Sequence, residues 1–96
     1  MPTTIHKYVL QIQARQVLSM PSGAKALHAA MQDGELTVWM QVSTKPGPDA
    51  LLPFYVYGLG QTIPDNDAQS MAYIGTTQDT DARYIWHVFI GKEEPQ

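Results

Sequence analysis

The chain has 96 residues, a length that suits one domain and is too short for two. Its net charge is −3, and its six lysines and arginines are scattered singly, which argues against a nucleic-acid binder because duplex binding needs several basic contacts. The absence of cysteine excludes a disulfide scaffold, a zinc–thiolate site and a thiol nucleophile. No apolar run suits a membrane span or a secretion signal, so we expect no membrane contact and a cytoplasmic location.

Alternation of apolar and polar residues is the main structural signal along the chain. It begins around residues 8–12 and is strongest in 35–43, where four apolar residues share one face: Leu36, Val38, Met40 and Val42. Two later segments, 52–59 and 84–90, are rich in aromatic and β-branched residues, which is typical of buried strands. We therefore predict a single all-β domain over residues 1–96, a small antiparallel barrel or sandwich of six to seven strands. Residues 91–96 are expected to form a flexible tail.

The segment 21–34, PSGAKALHAAMQDG, is compatible with two secondary structures, a short helix and a β-hairpin. Ser22 as an N-cap, four alanines and Gly34 as a C-cap favour a short helix near 22–32, which would make the fold α+β. Asp33-Gly34 is also a favoured two-residue hairpin turn that would join strands 25–32 and 35–43.

The register of that hairpin favours it over the helix, which stays the alternative. Pairing Gln32 with Glu35 matches apolar residues on one face, which an arbitrary register would not do. We predict the hairpin, with these pairs on one face: Met31 with Leu36, Ala29 with Val38, and Leu27 with Met40. On the opposite face, His28 would meet Trp39 and Ala30 would meet Thr37.

The stretch YVYGLGQTIPD, residues 55–65, has the glycine spacing with which phosphate-binding loops begin. A dinucleotide fingerprint needs a third glycine and a following helix, and Gly58 and Gly60 are followed by Gln61 and a short polar segment instead. We interpret the glycines as a bend at the end of a strand, with anion binding as the alternative.

Other side chains that could carry chemistry are few. His28 and His87 would share a face with Trp39 if their strands converge, which would make a small ligand pocket. Tyr55 and Tyr57 lie on the strand face opposite Phe54, and an exposed aromatic face is a common binding surface. The acidic pairs lack the remainder of a calcium loop, and no nucleophile elbow is present. We predict no metal, no cofactor and no enzymatic activity.

Five motifs in order carry a resemblance that spans nearly the whole chain: KYVLQI, MPSGAKALHAAMQDGELTVWMQV, FYVYGLGQTIPD, YIGT and WHVF. Together they resemble a family of small proteins of unknown function encoded by tailed phages and prophages. The sequence departs from it in having Leu59 where threonine is common, and in the alanine-rich stretch 24–30. The resemblance implies a phage or prophage accessory protein that acts in the bacterial cytoplasm.

We therefore expect a non-enzymatic accessory protein that binds and modulates a host or defence protein. The alternative is an oligomeric protein that binds or sequesters a small molecule such as a nucleotide. The residues expected to contact a ligand or partner are His28, Trp39, Tyr55, Tyr57, Gly58, Gly60, Gln61 and His87. Sparse charge also predicts a homo-oligomer, formed by the strands around Tyr55 and Tyr57 or by the face that carries Trp39. Trp86 is expected to be buried.

Overall fold

The computed structural model describes residues 2–79 and 83–95, and nearly all of the regular secondary structure in this part of the chain is β-strand. Within it, no helix has the length and apolar character needed to cross a bilayer. The elements in chain order are β1 (Thr3–Leu10), β2 (Arg15–Pro21), β3 (Lys25–Gln32), β4 (Glu35–Ser43), β5 (Asp49–Gly58), α1 (Asp65–Ser70), β6 (Ala72–Gln78), β7 (Ile85–Ile90) and β8 (Glu94–Pro95).

The strands form two antiparallel sheets that pack as a sandwich. Sheet A has three strands in the order β1-β4-β3. Sheet B has the order β2-β5-β7-β6, and the short β8 also pairs with β5. The shortest dimension of the molecule is 17 Å, which suits two stacked sheets whose planes lie about 10 Å apart. The predicted all-β fold with six to seven main strands is confirmed.

The hairpin predicted around Asp33-Gly34 is present, and the helix near 22–32 is wrong. Asp33 and Gly34 have φ values of 52° and 80°, the left-handed pair that a two-residue type I′ turn requires. Strands β3 and β4 flank this turn, with Gln32 opposite Glu35 and Met31 opposite Leu36. Tertiary pairing with β4 therefore overrides the helix propensity of the alanines.

One predicted pair of the hairpin is wrong. Ala29 faces Val38 and His28 faces Trp39 as predicted, and Ala30 likewise faces Thr37. Between Ala26 and His28 the register shifts, so Ala26, not Leu27, lies opposite Met40. The extra residue is a β-bulge, which leaves Leu27 out of the ladder and 42% exposed.

The core lies between β4 and the central strands of sheet B. All four apolar residues of the β4 alternation are at most 2% exposed, which confirms their predicted common face. They pack in one cluster with buried residues of sheet B: Met20, Leu52, Phe54, Val56 and Val88. Burial of these side chains supplies most of the driving force for folding.

A close backbone contact joins the two sheets on one side. Strands β3 and β6 are not paired, yet a Cβ atom added at Gly75 would lie only 3.2 Å from the Ala29 carbonyl oxygen. Two residues further along β3, the Met31 backbone N–H donates a hydrogen bond of 3.1 Å to Thr77 Oγ1. The edges of sheets A and B therefore meet here, which covers both edges without a shared strand ladder.

Two short elements were not predicted. The six-residue helix α1 lies in the connection 59–71, between β5 and β6. Since β7 lies between these two strands and is antiparallel to both, β5 and β6 are parallel, and the connection must cross β7. Strand β8 lies within the segment expected to be a flexible tail, and it pairs with Ala50 and Leu51. The mobility of this segment stays a prediction, and Gln96 lies outside the described residues.

The C-terminal segment is also attached through Glu93. Its carboxylate accepts hydrogen bonds from the Gly23 backbone N–H at 2.7 Å and from Ser22 Oγ at 2.8 Å. The Gly23 N–H first, and then the Ser22 hydroxyl, lower the pKa of Glu93 from its ordinary value of 4.5. The next residue, Glu94, forms a half-exposed ion pair of 3.3 Å with Arg15.

We predict that Glu93→Gln weakens the fold at neutral pH and that this difference disappears in acid. Because the folded pKa of Glu93 is lowered, its contribution to stability is present above about pH 4.5 and is lost as the pH falls through the folded pKa. Melting temperatures of both proteins should therefore converge below that pH. A gap between the two melting temperatures that stays constant from pH 7 to about pH 3 would contradict this role for the carboxylate.

Candidate functional site

The outer face of sheet B, which points away from the core, carries a row of aromatic side chains across three adjacent strands. Tyr55 of β5 lies opposite Phe89 of β7, and Phe89 lies opposite Tyr73 of β6. Arg15 of β2 extends the row because it pairs with Tyr55. Tyr57 and His87 form the next row. We name the set Tyr55, Tyr57, Tyr73, His87 and Phe89 the aromatic face.

The rings of the aromatic face contact one another edge to face. The Phe89 ring centroid lies 6.0 Å from that of Tyr57 and 5.6 Å from that of Tyr73, with interplanar angles of 77° and 64°. Such cross-strand pairs stabilise a sheet by about 0.2–1 kcal/mol each, so part of their role is structural. Exposure separates the structural members from the others: Tyr57 is 6% exposed, whereas Tyr73 is 60% exposed. A tyrosine that is mostly in water gains little from the sheet and is available to a partner.

A chain of hydrogen bonds fixes the polar side of this face. The Tyr73 hydroxyl lies 2.6 Å from Thr76 Oγ1, and Thr76 Oγ1 lies 3.0 Å from His87 Nδ1. A hydroxyl next to an imidazole has the geometry of a nucleophile and its base. In the described part of the chain, however, no third group is hydrogen-bonded to the other ring nitrogen to orient the imidazole. The two hydrogen bonds restrain the position of the exposed Tyr73 side chain.

His28 and Trp39 lie on the opposite side of the molecule. They form a cross-strand pair on the outer face of sheet A, with ring centroids 5.6 Å apart. His87 lies on the outer face of sheet B, so the predicted meeting of His28 and His87 on one face is wrong. The two sheets pack through their other faces, and the whole core therefore separates the two histidines.

The glycines of residues 58–60 form a closed bend. Gly60 has a φ of 81°, which favours glycine, and the Gln61 backbone N–H donates to the Gly58 carbonyl at 3.1 Å. The Gly58 N–H, which a phosphate loop would offer to an anion, donates instead to Gln61 Oε1 at 2.9 Å. Gln61 therefore stabilises the turn from both sides, and the interpretation of the stretch as a bend agrees with this geometry.

A groove of about 390 Å³ lies beside this bend. It is lined by Gly58, Leu59 and residues 83–86. Trp86, expected to be buried, is only half-buried, because it lies at the rim of the core and its ring stacks on Tyr84 with centroids 5.8 Å apart and an angle of 22°. Tyr84 is 56% exposed, so the stacked pair presents an aromatic surface to the groove next to Arg83.

Sequence reasoning found only part of these two regions. Of the aromatic face it named Tyr55, Tyr57 and His87 and missed Tyr73 and Phe89. They were missed because the sequence does not show the register across three strands. Only the antiparallel pairing of β7 with β5 and β6 places Tyr55, Phe89 and Tyr73 in one row. Tyr84 and Arg83 were missed because nothing in the sequence places them beside the Gly58 bend.

Over residues 2–79 and 83–95, no group of three or more histidines or carboxylates is arranged to hold a metal ion.

The chain matches, over residues 1–96, the family described as a domain of unknown function, DUF7352, and it belongs to that family. Neither the curated proteins nor the solved structures gave a match.

Proposed function

We propose that this chain is a non-enzymatic interaction protein that docks a partner protein on the aromatic face of sheet B. The observation that carries the proposal is Tyr73, an aromatic side chain that is 60% exposed yet held in place through Thr76 and His87. Aromatic residues are enriched at the centres of protein interfaces, where a fixed ring loses little entropy on binding.

The shape of the aromatic face favours a protein over a small molecule. The face is the outside of a sheet, and its five side chains do not line the groove beside the Gly58 bend. Small ligands are usually enclosed in concave sites, whereas proteins dock on broad surfaces. The phenol hydroxyls of Tyr55 and Tyr73 and the guanidinium of Arg15 give the row a polar margin, as interfaces have.

The partner that we propose is a bacterial host or defence protein. Support for this choice comes from the resemblance of the five sequence motifs to small phage and prophage proteins, and binding would then occur in the bacterial cytoplasm. Such a protein acts by occupying a surface of its partner, which requires no catalytic residues. The hydroxyl–imidazole pair of Thr76 and His87 has a positioning role in this proposal.

A small-molecule function is the second candidate, and the groove beside the Gly58 bend favours it. Stacked Tyr84 and Trp86 offer a ring surface, and Arg83 lies in the same lining. Planar rings stack on such surfaces and anionic groups pair with arginine, so the ligand of this groove would be a nucleotide.

The docking proposal predicts that Tyr73→Asp weakens partner binding while the fold is retained. The exposed position tolerates the change, and a carboxylate there would disrupt an apolar contact, so we expect binding at least about tenfold weaker. The measurement is capture from bacterial lysate by wild type and variant, followed by titration with the purified partner. Leu27→Asp is the control, because Leu27 is exposed on sheet A. Equal binding by Tyr73→Asp, or no specific capture by wild type, would refute the proposal.

For the groove, we predict that AMP quenches the fluorescence of Trp86. The chain has two tryptophans, so the Trp39→Phe variant reports on Trp86 alone. Adding Tyr84→Ala should weaken binding about 5- to 150-fold, because stacking contributes roughly 1–3 kcal/mol per base. Inorganic phosphate is the control, because it has the anionic group of AMP without the base that would stack on Tyr84 and Trp86. An unchanged emission at millimolar AMP, or equal quenching after Tyr84→Ala, would exclude this second candidate.

A further inference from the structure

Strand β1 is the free edge of sheet A, and its register shows which backbone groups point outward. Thr44 N–H donates to the Pro2 carbonyl at 3.3 Å, so Pro2 and Thr44 form a hydrogen-bonded pair. The β1–β4 ladder has no register shift from Thr3 to Leu10, and hydrogen-bonded pairs alternate along an antiparallel ladder. Even-numbered residues of β1 therefore bond to β4, while the N–H and C=O groups of Ile5, Lys7 and Val9 point away from it. No other strand of the described chain pairs with this edge.

The edge has apolar side chains and lacks the usual protection. Ile5 is 59% exposed and Val9 is 43% exposed. A central lysine normally guards an edge strand, but Lys7 Nζ donates to Gln32 Oε1 at 2.8 Å, on the far strand β3. The Lys7 side chain thus crosses β4 at the level of Thr37, which is only 2% exposed although it lies on the outer face. The ammonium group is directed away from the edge that it would otherwise protect.

The sequence of β1 is self-complementary about Lys7. In an antiparallel pair centred on this residue, Ile5 lies opposite Val9 of a second copy, and Tyr8 lies opposite His6 of the second copy. We propose that two copies of this chain associate through β1, around a two-fold axis at Lys7. The product is one continuous sheet with the strand order β3-β4-β1-β1-β4-β3.

This pairing satisfies the outward-facing groups of both edges. The two Lys7 residues bond to each other, and each Ile5 bonds to Val9 of the second copy, so the exposed apolar side chains are buried as matched pairs. The alternative centre, His6, would place Ile5 opposite Lys7 and Val9 opposite Thr3, and would match no apolar pair. The dimer uses sheet A only and leaves the aromatic face of sheet B open, so it goes beyond the proposed docking function.

Single cysteines test the register, because the chain has no cysteine of its own. At the two-fold axis, paired Cα atoms lie about 5.5 Å apart, within the range of about 4.4–6.8 Å that a disulfide needs. Lys7→Cys should therefore form a disulfide dimer on mild oxidation. Ile5→Cys and Val9→Cys should crosslink when mixed and not when each is oxidised alone. Lys25→Cys, on β3, is the control. The proposal would be overturned if the β1 cysteines crosslink no more than this control. It would also be overturned if Ile5→Cys forms a disulfide dimer with itself, in the absence of Val9→Cys.

The oligomeric state of the unmodified chain is the second readout. Light scattering at about 100 μM should report a dimer, and Val9→Lys should raise the dimer dissociation constant at least about tenfold by placing a charge opposite Ile5. Leu27→Lys is the matched control, since Leu27 and Val9 are 42% and 43% exposed in the same sheet. Circular dichroism melts check that both variants fold. A monomeric wild type, or a Val9→Lys dimer as tight as that of Leu27→Lys, would overturn the proposal.

Discussion

The contact between Gly75 and the Ala29 backbone is the constraint on which the rest of the structure depends. Each sheet alone is a thin layer with one apolar face, and three or four strands bury that face only when a second layer covers it. The contact brings the edges of β3 and β6 together, and the hydrogen bond from Met31 to Thr77 adds a second point of attachment. A Cβ atom at residue 75 would lie 3.2 Å from the Ala29 carbonyl oxygen, so a side chain there requires β3 and β6 to shift by a few tenths of an ångström.

Closure on this side leaves the molecule with two outer faces of different chemistry. Sheet B presents the aromatic face, where packing of Phe89 with Tyr57 and Tyr73 fixes the rings. Sheet A presents Trp39 and His28 in its middle and the free edge β1 on one side. Since the core separates the faces, a partner on sheet B and a second copy on sheet A would bind independently. In the two proposals taken together, the partner would use sheet B and the second copy would use the edge of sheet A.

Much of the fold could be predicted from the sequence because its strongest signals are local. The alternation in β4 identifies the core side of sheet A directly, and the Asp33-Gly34 turn identifies the hairpin despite four nearby alanines. The β-bulge at Leu27 could not be predicted, because a one-residue irregularity depends on how β3 meets its neighbours and not on its own pattern. The same limit explains why Trp86 was expected in the core: periodicity identifies its face but not its distance from the end of the sheet.

The candidate site depended on information that periodicity does not contain. Tyr55 and Tyr57 could be assigned to one face of their own strand, whereas their alignment with Phe89 and Tyr73 depends on register across β7. The glycine bend differs, because the sequence of the bend itself contained the relevant signal. Its composition suggested an anion loop, and the missing third glycine favoured a structural turn; in the structure, Gln61 bonds to both backbone groups of Gly58.

The free energy of unfolding of Gly75→Val, from urea denaturation, tests the closure of the sandwich most directly. In an ordinary strand position, valine stabilises relative to glycine, because it has higher β propensity and loses less backbone entropy. A contact of 3.2 Å with a backbone oxygen predicts the opposite sign, a loss of about 1–3 kcal/mol, since β6 must move away from β3. Gly47→Ala is the control, with no atom within 4 Å of the added carbon. A Gly75→Val protein as stable as wild type, or more so, would contradict the account.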